Sequence, residues 1–98
     1  MSLTPREAWE AKIREMGILM SLHSSIGFIH HQLAEAIYQL QDLQTVTGEG
    51  NAQIVVVGQA KETVDQVRLW LNERITTVMD EMYQIQSRLP AAPADAHA

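Results

Sequence analysis

Apolar residues recur along this chain at alternating steps of three and four, and that spacing constrains its fold more than any other feature. Leu19, Leu22, Ile26, Ile29, Leu33, Ala36, Leu40 and Leu43 follow one another at 3, 4, 3, 4, 3, 4 and 3. Heptad spacing of this kind keeps one stripe of an α-helix turned toward a neighbouring helix. Upstream, Trp9, Ile13 and Met16 run in a slightly different phase, with Gly17 at the phase change, where a bend is expected. A second stripe comprises Val57, Ala60, Val64, Val67, Leu71, Ile75, Val78, Met82, Ile85 and Leu89. Its single 4-4 step, at Leu71, is a stutter that relaxes the supercoil locally.

The boundaries of the two stripes carry their own chemistry. Thr4-Pro5-Arg6-Glu7 places a hydroxyl, a first-turn proline and a carboxylate where a capping box needs them, so a helix is expected from about residue 5 to 46. Thr47-Gly48-Glu49-Gly50-Asn51 supplies two glycines to stop that helix and an asparagine to cap the next, expected over about 52–89. The same region also reads as a short β-hairpin, since Thr45-Val46-Thr47 and Ile54-Val55-Val56-Val57 are β-branched runs on either side of a turn. Two isolated strands are marginal by themselves, and the sequence offers no third. The expected architecture is therefore all-α: one antiparallel two-helix hairpin over residues 1–89, with residues 90–98 a disordered Ala/Pro tail.

Composition narrows the partners. The seven Lys and Arg residues are outnumbered by twelve Asp and Glu, for a net charge of −5, and the cations are interleaved with acids. That pattern disfavours nucleic acid and an anionic membrane surface. The most apolar window, Gly17 to Ile29, contains His23, Ser24 and Ser25 and is too short to cross a bilayer. There is no cysteine, which removes disulfides and thiolate chemistry. No basic stretch followed by an apolar run opens the sequence, so the protein is expected in the cytoplasm, or exported without a cleaved signal.

Chemistry finds little footing. His23, His30 and His31 are the candidate metal ligands, with Glu35 four residues after His31, but no His-x-x-x-His or Glu-x-x-His pair occurs. Imidazoles beside Ser24, Gly27 and Ala34 would instead make assembly sensitive to pH. Ser24 and Ser25 are helical neighbours of His23, not a nucleophile raised on a turn, and Gly48-Glu49-Gly50 is no phosphate loop. No catalytic residue, cofactor or small-molecule substrate is expected.

Association is the expectation that remains. The apolar stripes exceed a single seam, because Ile18, Met20, Phe28, Ile37, Tyr38, Ile54, Val56, Leu69 and Trp70 lie beside it. Left in water they would form a patch larger than monomers carry, so a homodimer, a larger helical oligomer or a helical partner protein should cover them. The simplest closed form is a four-helix bundle, with Trp70 as an edge anchor. The interface residues expected from the stripes are Trp9, Ile13, Met16, Leu19, Leu22, Ile26, Ile29, Leu33, Leu40 and Leu43 on the first helix. On the second they are Val64, Val67, Trp70, Leu71, Ile75, Val78, Met82 and Ile85.

This outline resembles the Trp-Xaa-Gly helical-hairpin substrates of type VII secretion. Val46-Thr47-Gly48 occupies the place of their turn motif, with Val46 where that family has tryptophan. The family's export signal is a tyrosine followed four positions later by an acid. Tyr83 is followed by Ser87 instead, and Tyr38 to Asp42 has the spacing but precedes the turn. The resemblance implies a signal-less hairpin that dimerises as a four-helix bundle. Two other roles fit the same residues: a structural subunit of a virion or scaffold, and a small regulator docking in a partner's helical groove.

Overall fold

The computed structural model describes residues 2–90, and within them the chain is two helices and one turn. Helix α1 spans Pro5–Thr47 and helix α2 spans Asn51–Gln86; no strand occurs among the described residues. The helices pack side by side as an antiparallel hairpin. The tip thus continues both helices rather than forming a β-hairpin. Each helix is long enough that a turn and a half of β-branched residues at its end is carried along by the rest. Residues 91–98, most of the expected tail, lie outside the described residues.

α1 begins as its capping residues dictate. Glu7 N–H donates to Thr4 Oγ1 at 3.1 Å, and Thr4 N–H donates back to Glu7 Oε1 at 3.2 Å. Thr4 holds the Glu7 carboxyl below its ordinary pKa, its side chain being the larger cause and its backbone N–H the smaller. The helix then runs unbroken through Gly17. It stops at Gly48, whose φ of 77° is left-handed and whose N–H donates to the Gln44 carbonyl at 2.7 Å. Gly50 is left-handed as well, φ 105°, and is itself the N-cap of α2. Asn51, expected as that cap, is the first helical residue and is bonded by the Gln44 side chain from across the turn. Its reach to α1 wins because Gly50 already sets the backbone for helix entry. α2 ends at Gln86, with looser turns through Leu89.

The core is small and lies toward the open end of the hairpin. Leu71 and Val78 are 1% and 0% exposed, and Leu19 completes the cluster. Met16 and Ile26 from α1, with Ile75 and Met82 from α2, pack around it half-buried. Nearer the turn no residue is fully buried.

The seam departs from the expected one in that turn-proximal half. Leu19, Ile26, Leu33 and Leu40 do face α2, but the packed-side positions that follow Ile26, Leu33 and Leu40 are His30, Ile37 and Gln44. Leu22, Ile29 and Leu43 are exposed. α2 repeats the pattern: Val57, Val64 and Leu71 face inward with Lys61 and Arg68 between them, while Ala60 and Val67 are exposed. Steps of 3-4 and of 4-3 through the same central row define two overlapping seams, and the hairpin uses only one.

Candidate interaction surface

Two rows of side chains meet at one edge of the hairpin. On α1, Ile18, Leu22, Ile29, Ala36 and Leu43 continue the Glu15 position by helical steps of three, four and seven. On α2, Val56, Ala60, Thr63, Val67 and Trp70 lead by steps of three and four to Arg74. Glu15 and Arg74 touch across the hairpin, Nε donating to Oε1 at 3.0 Å and Nη2 to the same oxygen. Both rows therefore border the same face.

That face is uncharged and exposed, mostly apolar, with Ser25, Gln32 and Gln39 alternating with the apolar residues on α1. Ile18 is 63% and Trp70 56% exposed, and Leu22, Ile29, Leu43, Val56 and Val67 are exposed with them. No charged residue stands in either row between the Glu15–Arg74 pair and the turn. Thr63, in mid-row, donates its hydroxyl to the Gln59 carbonyl at 3.1 Å. Its hydrogen-bonding need is met within α2, which leaves its methyl for contact. The shallow concavity around Arg14, Gly17, Ile18, Ser21 and Leu22 lies at the far end of the α1 row, away from the turn.

Charges gather elsewhere. At the open end Lys12 Nζ is 3.1 Å from Glu15 Oε2 and 2.9 Å from Glu81 Oε2, so Lys12, Glu15, Arg74 and Glu81 form one neutral cluster joining the helices. The Glu81 hydrogen bond, foremost, raises the Lys12 pKa, and Arg74 followed by Lys12 lowers that of Glu15. On the edge opposite the apolar face, His30 Nε2 lies 2.9 Å from Asp65 Oδ1, which Arg68 Nη1 also approaches at 3.5 Å.

The three candidate metal ligands do not converge. His30 faces Asp65, His31 lies 3.8 Å from Glu35 on the outer side of α1, and His23 is exposed. Among the described residues no three His, Asp or Glu side chains cluster as a metal would require. No described helix is long and apolar enough to cross a membrane.

Of the expected interface residues, Leu19, Leu71 and Val78 are buried within the hairpin. Trp9, Met16, Ile26, Leu33, Leu40, Val64, Ile75, Met82 and Ile85 are half-buried there. Ile13, Leu22, Ile29, Leu43, Val67 and Trp70 remain in water. What sequence reasoning missed are the cross-helix pairs Lys12–Glu81, Glu15–Arg74 and His30–Asp65. No equal spacing from the turn marks them in the sequence: Glu15 and Arg74 stand 33 and 24 residues from Gly48 and Gly50, so the register that joins them is set by the packing of the two helices. No family model, curated protein or solved structure matches the chain.

Proposed function

We propose that this protein is a non-enzymatic association module whose work is to bury the uncharged face against another helical surface. One observation carries the reading: on each helix a charge-free heptad row, mostly apolar, stands exposed on one side of the hairpin. A row of Leu and Ile at heptad spacing is costly to leave in water and unnecessary for the hairpin's own packing, which uses the adjacent row.

The weakness of the lone hairpin supports the same reading. Among the described residues only three side chains are buried. The accessible surface is 7552 Å² for a chain of 11.0 kDa, against roughly 5,600 Å² for a compact monomer of that mass. A fold with so little interior gains stability by covering what it leaves out.

Light scattering across a concentration series, with helicity followed by circular dichroism, tests the proposal. Mass and helicity should rise together. A single copy that melts cooperatively at micromolar concentration and never gains mass overturns it. The mass reached also separates roles, since a scaffold or virion subunit would continue past a dimer to larger closed rings.

The resemblance to Trp-Xaa-Gly hairpins is a second reading, favoured by one observation. Gly48 stands at the turn in the left-handed conformation, with Val46, 83% exposed, two residues before it. Appearance of the chain in the medium of a type VII-competent host, and not of a host lacking that system, would support it; equal retention in both would remove it.

A further inference from the structure

We propose that the turn-proximal half of the hairpin has a second packed state, in which each helix rolls about its own axis and the uncharged face turns inward. The inference concerns the single chain and does not rest on the association reading above.

The two states share their central rows. Ile26, Leu33 and Leu40 lie inward on α1, as do Val57 and Val64 on α2, and these positions belong equally to the seam that is not in use. On a helix of 3.6 residues per turn the two flanks of such a row stand about 100° apart, so exchanging them takes a roll of about 50°. The roll brings Leu22, Ile29, Ala36 and Leu43 against Ala60 and Val67, all of them apolar. It carries His30, Gln44, Lys61 and Arg68 out to water, and of the apolar residues of α1 it releases Ala34 and Ile37. Because the two exposed rows border one face, opposite rolls of the helices, like those of meshed rollers, bring both rows in together.

The chain marks where the rolling half ends. The apolar pattern changes phase at Gly17 on α1 and at Leu71 on α2. Leu19 and Leu71 share the core cluster, so the two changes stand at one height. Beyond them Met16, Ile75 and Met82 pack on the flank already in use, and a roll there would drive the Glu15–Arg74 pair into the interface. The open end is thus fixed in one seam.

Toward the turn the present roll is held by polar contacts over a loose interior. No residue there is fully buried. His30 Nε2 lies 2.9 Å from Asp65 Oδ1, Arg68 approaches the same oxygen, and the Gln44 side chain bonds Asn51. Those fasteners favour the present state, whereas the rolled state has the more apolar seam. A packed element with two such discrete arrangements is a switch, and the rolled arrangement conceals the face that the present one exposes.

His30→Glu sets a carboxylate against Asp65 in the present packing but leaves it in water in the rolled one. Since the sequence has no cysteine, a single introduced thiol reports one position. Ala60→Cys is exposed now and covered after the roll; Ala34→Cys is half-buried now and exposed after it. At a dilution where light scattering shows single copies, His30→Glu should slow alkylation of A60C about tenfold and speed that of A34C, with helicity unchanged. Unchanged rates at both thiols overturn the proposal. Loss of helicity in His30→Glu overturns it as well, because a second packing would have kept the hairpin together. Val67→Glu supplies a further check: alone it should leave the chain helical, as Val67 is exposed, but combined with His30→Glu it should unfold it. A double variant as helical as His30→Glu alone overturns the proposal. All these measurements read the single chain, and the concentration series reads association separately.

Discussion

Glu15 reaches across the hairpin to Arg74, and the contact stands where the uncharged face ends and the charged open end begins. Arg74, more than Lys12, holds the Glu15 carboxyl below its ordinary pKa of 4.5. The folded carboxyl thus takes a proton less readily than the unfolded one. Its contribution to stability is in place above pH 4.5 and is lost as pH falls through the lowered folded value. Lys12 has the opposite sign: raised chiefly by Glu81, it contributes below pH 10.5 and loses that contribution as pH rises through the higher folded value. Thermal melts followed through the acid range should show a shallower acid limb in Glu15→Gln than in the parent. Superimposable limbs would remove Glu15 from the account. Because the cluster is partly exposed, water screens it and the effect should be modest.

Leu71 and Leu22 are both leucines of the heptad pattern, but they occupy different environments. Leu71 is enclosed by the core around Leu19 and Val78, whereas Leu22 faces water in a single hairpin. Leu71→Ala should cost about 2–5 kcal/mol, enough to leave a hairpin with so small an interior largely unfolded. Leu22→Ala should change the unfolding free energy of the dilute chain by about 0.5 kcal/mol or less, yet weaken association. Urea unfolding of each variant at low and high protein concentration checks both. If the two substitutions destabilise the dilute chain equally, Leu22 is not on an outward row.

The contrast between those leucines also shows how far the sequence could be read. Thr4, Pro5, Glu7 and Gly48 announce the ends of α1 through local chemistry, and local chemistry acts over a few residues whatever the rest of the chain does. The two-helix outline followed from periodicity for the same reason. Which row packs inward is a different matter. Leu22, Ile29 and Leu43 match the heptad template as well as His30, Ile37 and Gln44 match its mirror spacing, and on hydrophobicity the first set is the better seam. The hairpin takes the second because the cross-helix partners of its polar members, Asp65 for His30 and Asn51 for Gln44, lie at the matching height on α2. A pattern confined to one helix does not contain that information. The exposed face was therefore foreseeable as an excess of apolar residues, but its position was not.

The turn tolerates little substitution at Gly48. With φ at 77°, any side chain there incurs the left-handed penalty, although nothing lies within 4 Å of where a Cβ would be. Gly48→Ala should therefore cost about 1 kcal/mol through backbone strain alone, without a packing defect. At the other end of α1, Thr4→Ala should cost a similar amount, about 1 kcal/mol, by removing the acceptor of the Glu7 amide. The two are distinguished by amide exchange. Thr4→Ala should speed exchange in the first turn only, and Gly48→Ala should speed it on both sides of the turn. Uniform acceleration along α1 in Thr4→Ala would mean that the cap controls more than its own turn.

A charge placed in the uncharged face gives the sharpest separation between folding and association. Ile29 lies near the centre of that face and is exposed in the single hairpin, so Ile29→Glu introduces a carboxylate that is solvated when the chain is alone. Buried against another helical surface, that carboxylate would be desolvated and unpaired, an arrangement that costs several kcal/mol. Ile29→Glu should therefore be monomeric where the parent is dimeric, with any loss of helicity no larger than the parent shows on dilution. The parent's own association should be insensitive to pH between about 5.5 and 7.5, because none of the residues in the two rows titrates there and His30 faces the opposite edge. Sedimentation of the parent at both pH values, beside Ile29→Glu at one, reads all of this in a single experiment. A parent dimer that dissociates on acidification would show that the contact runs instead along the histidine edge. In that case Ile29→Glu would remain dimeric at neutral pH.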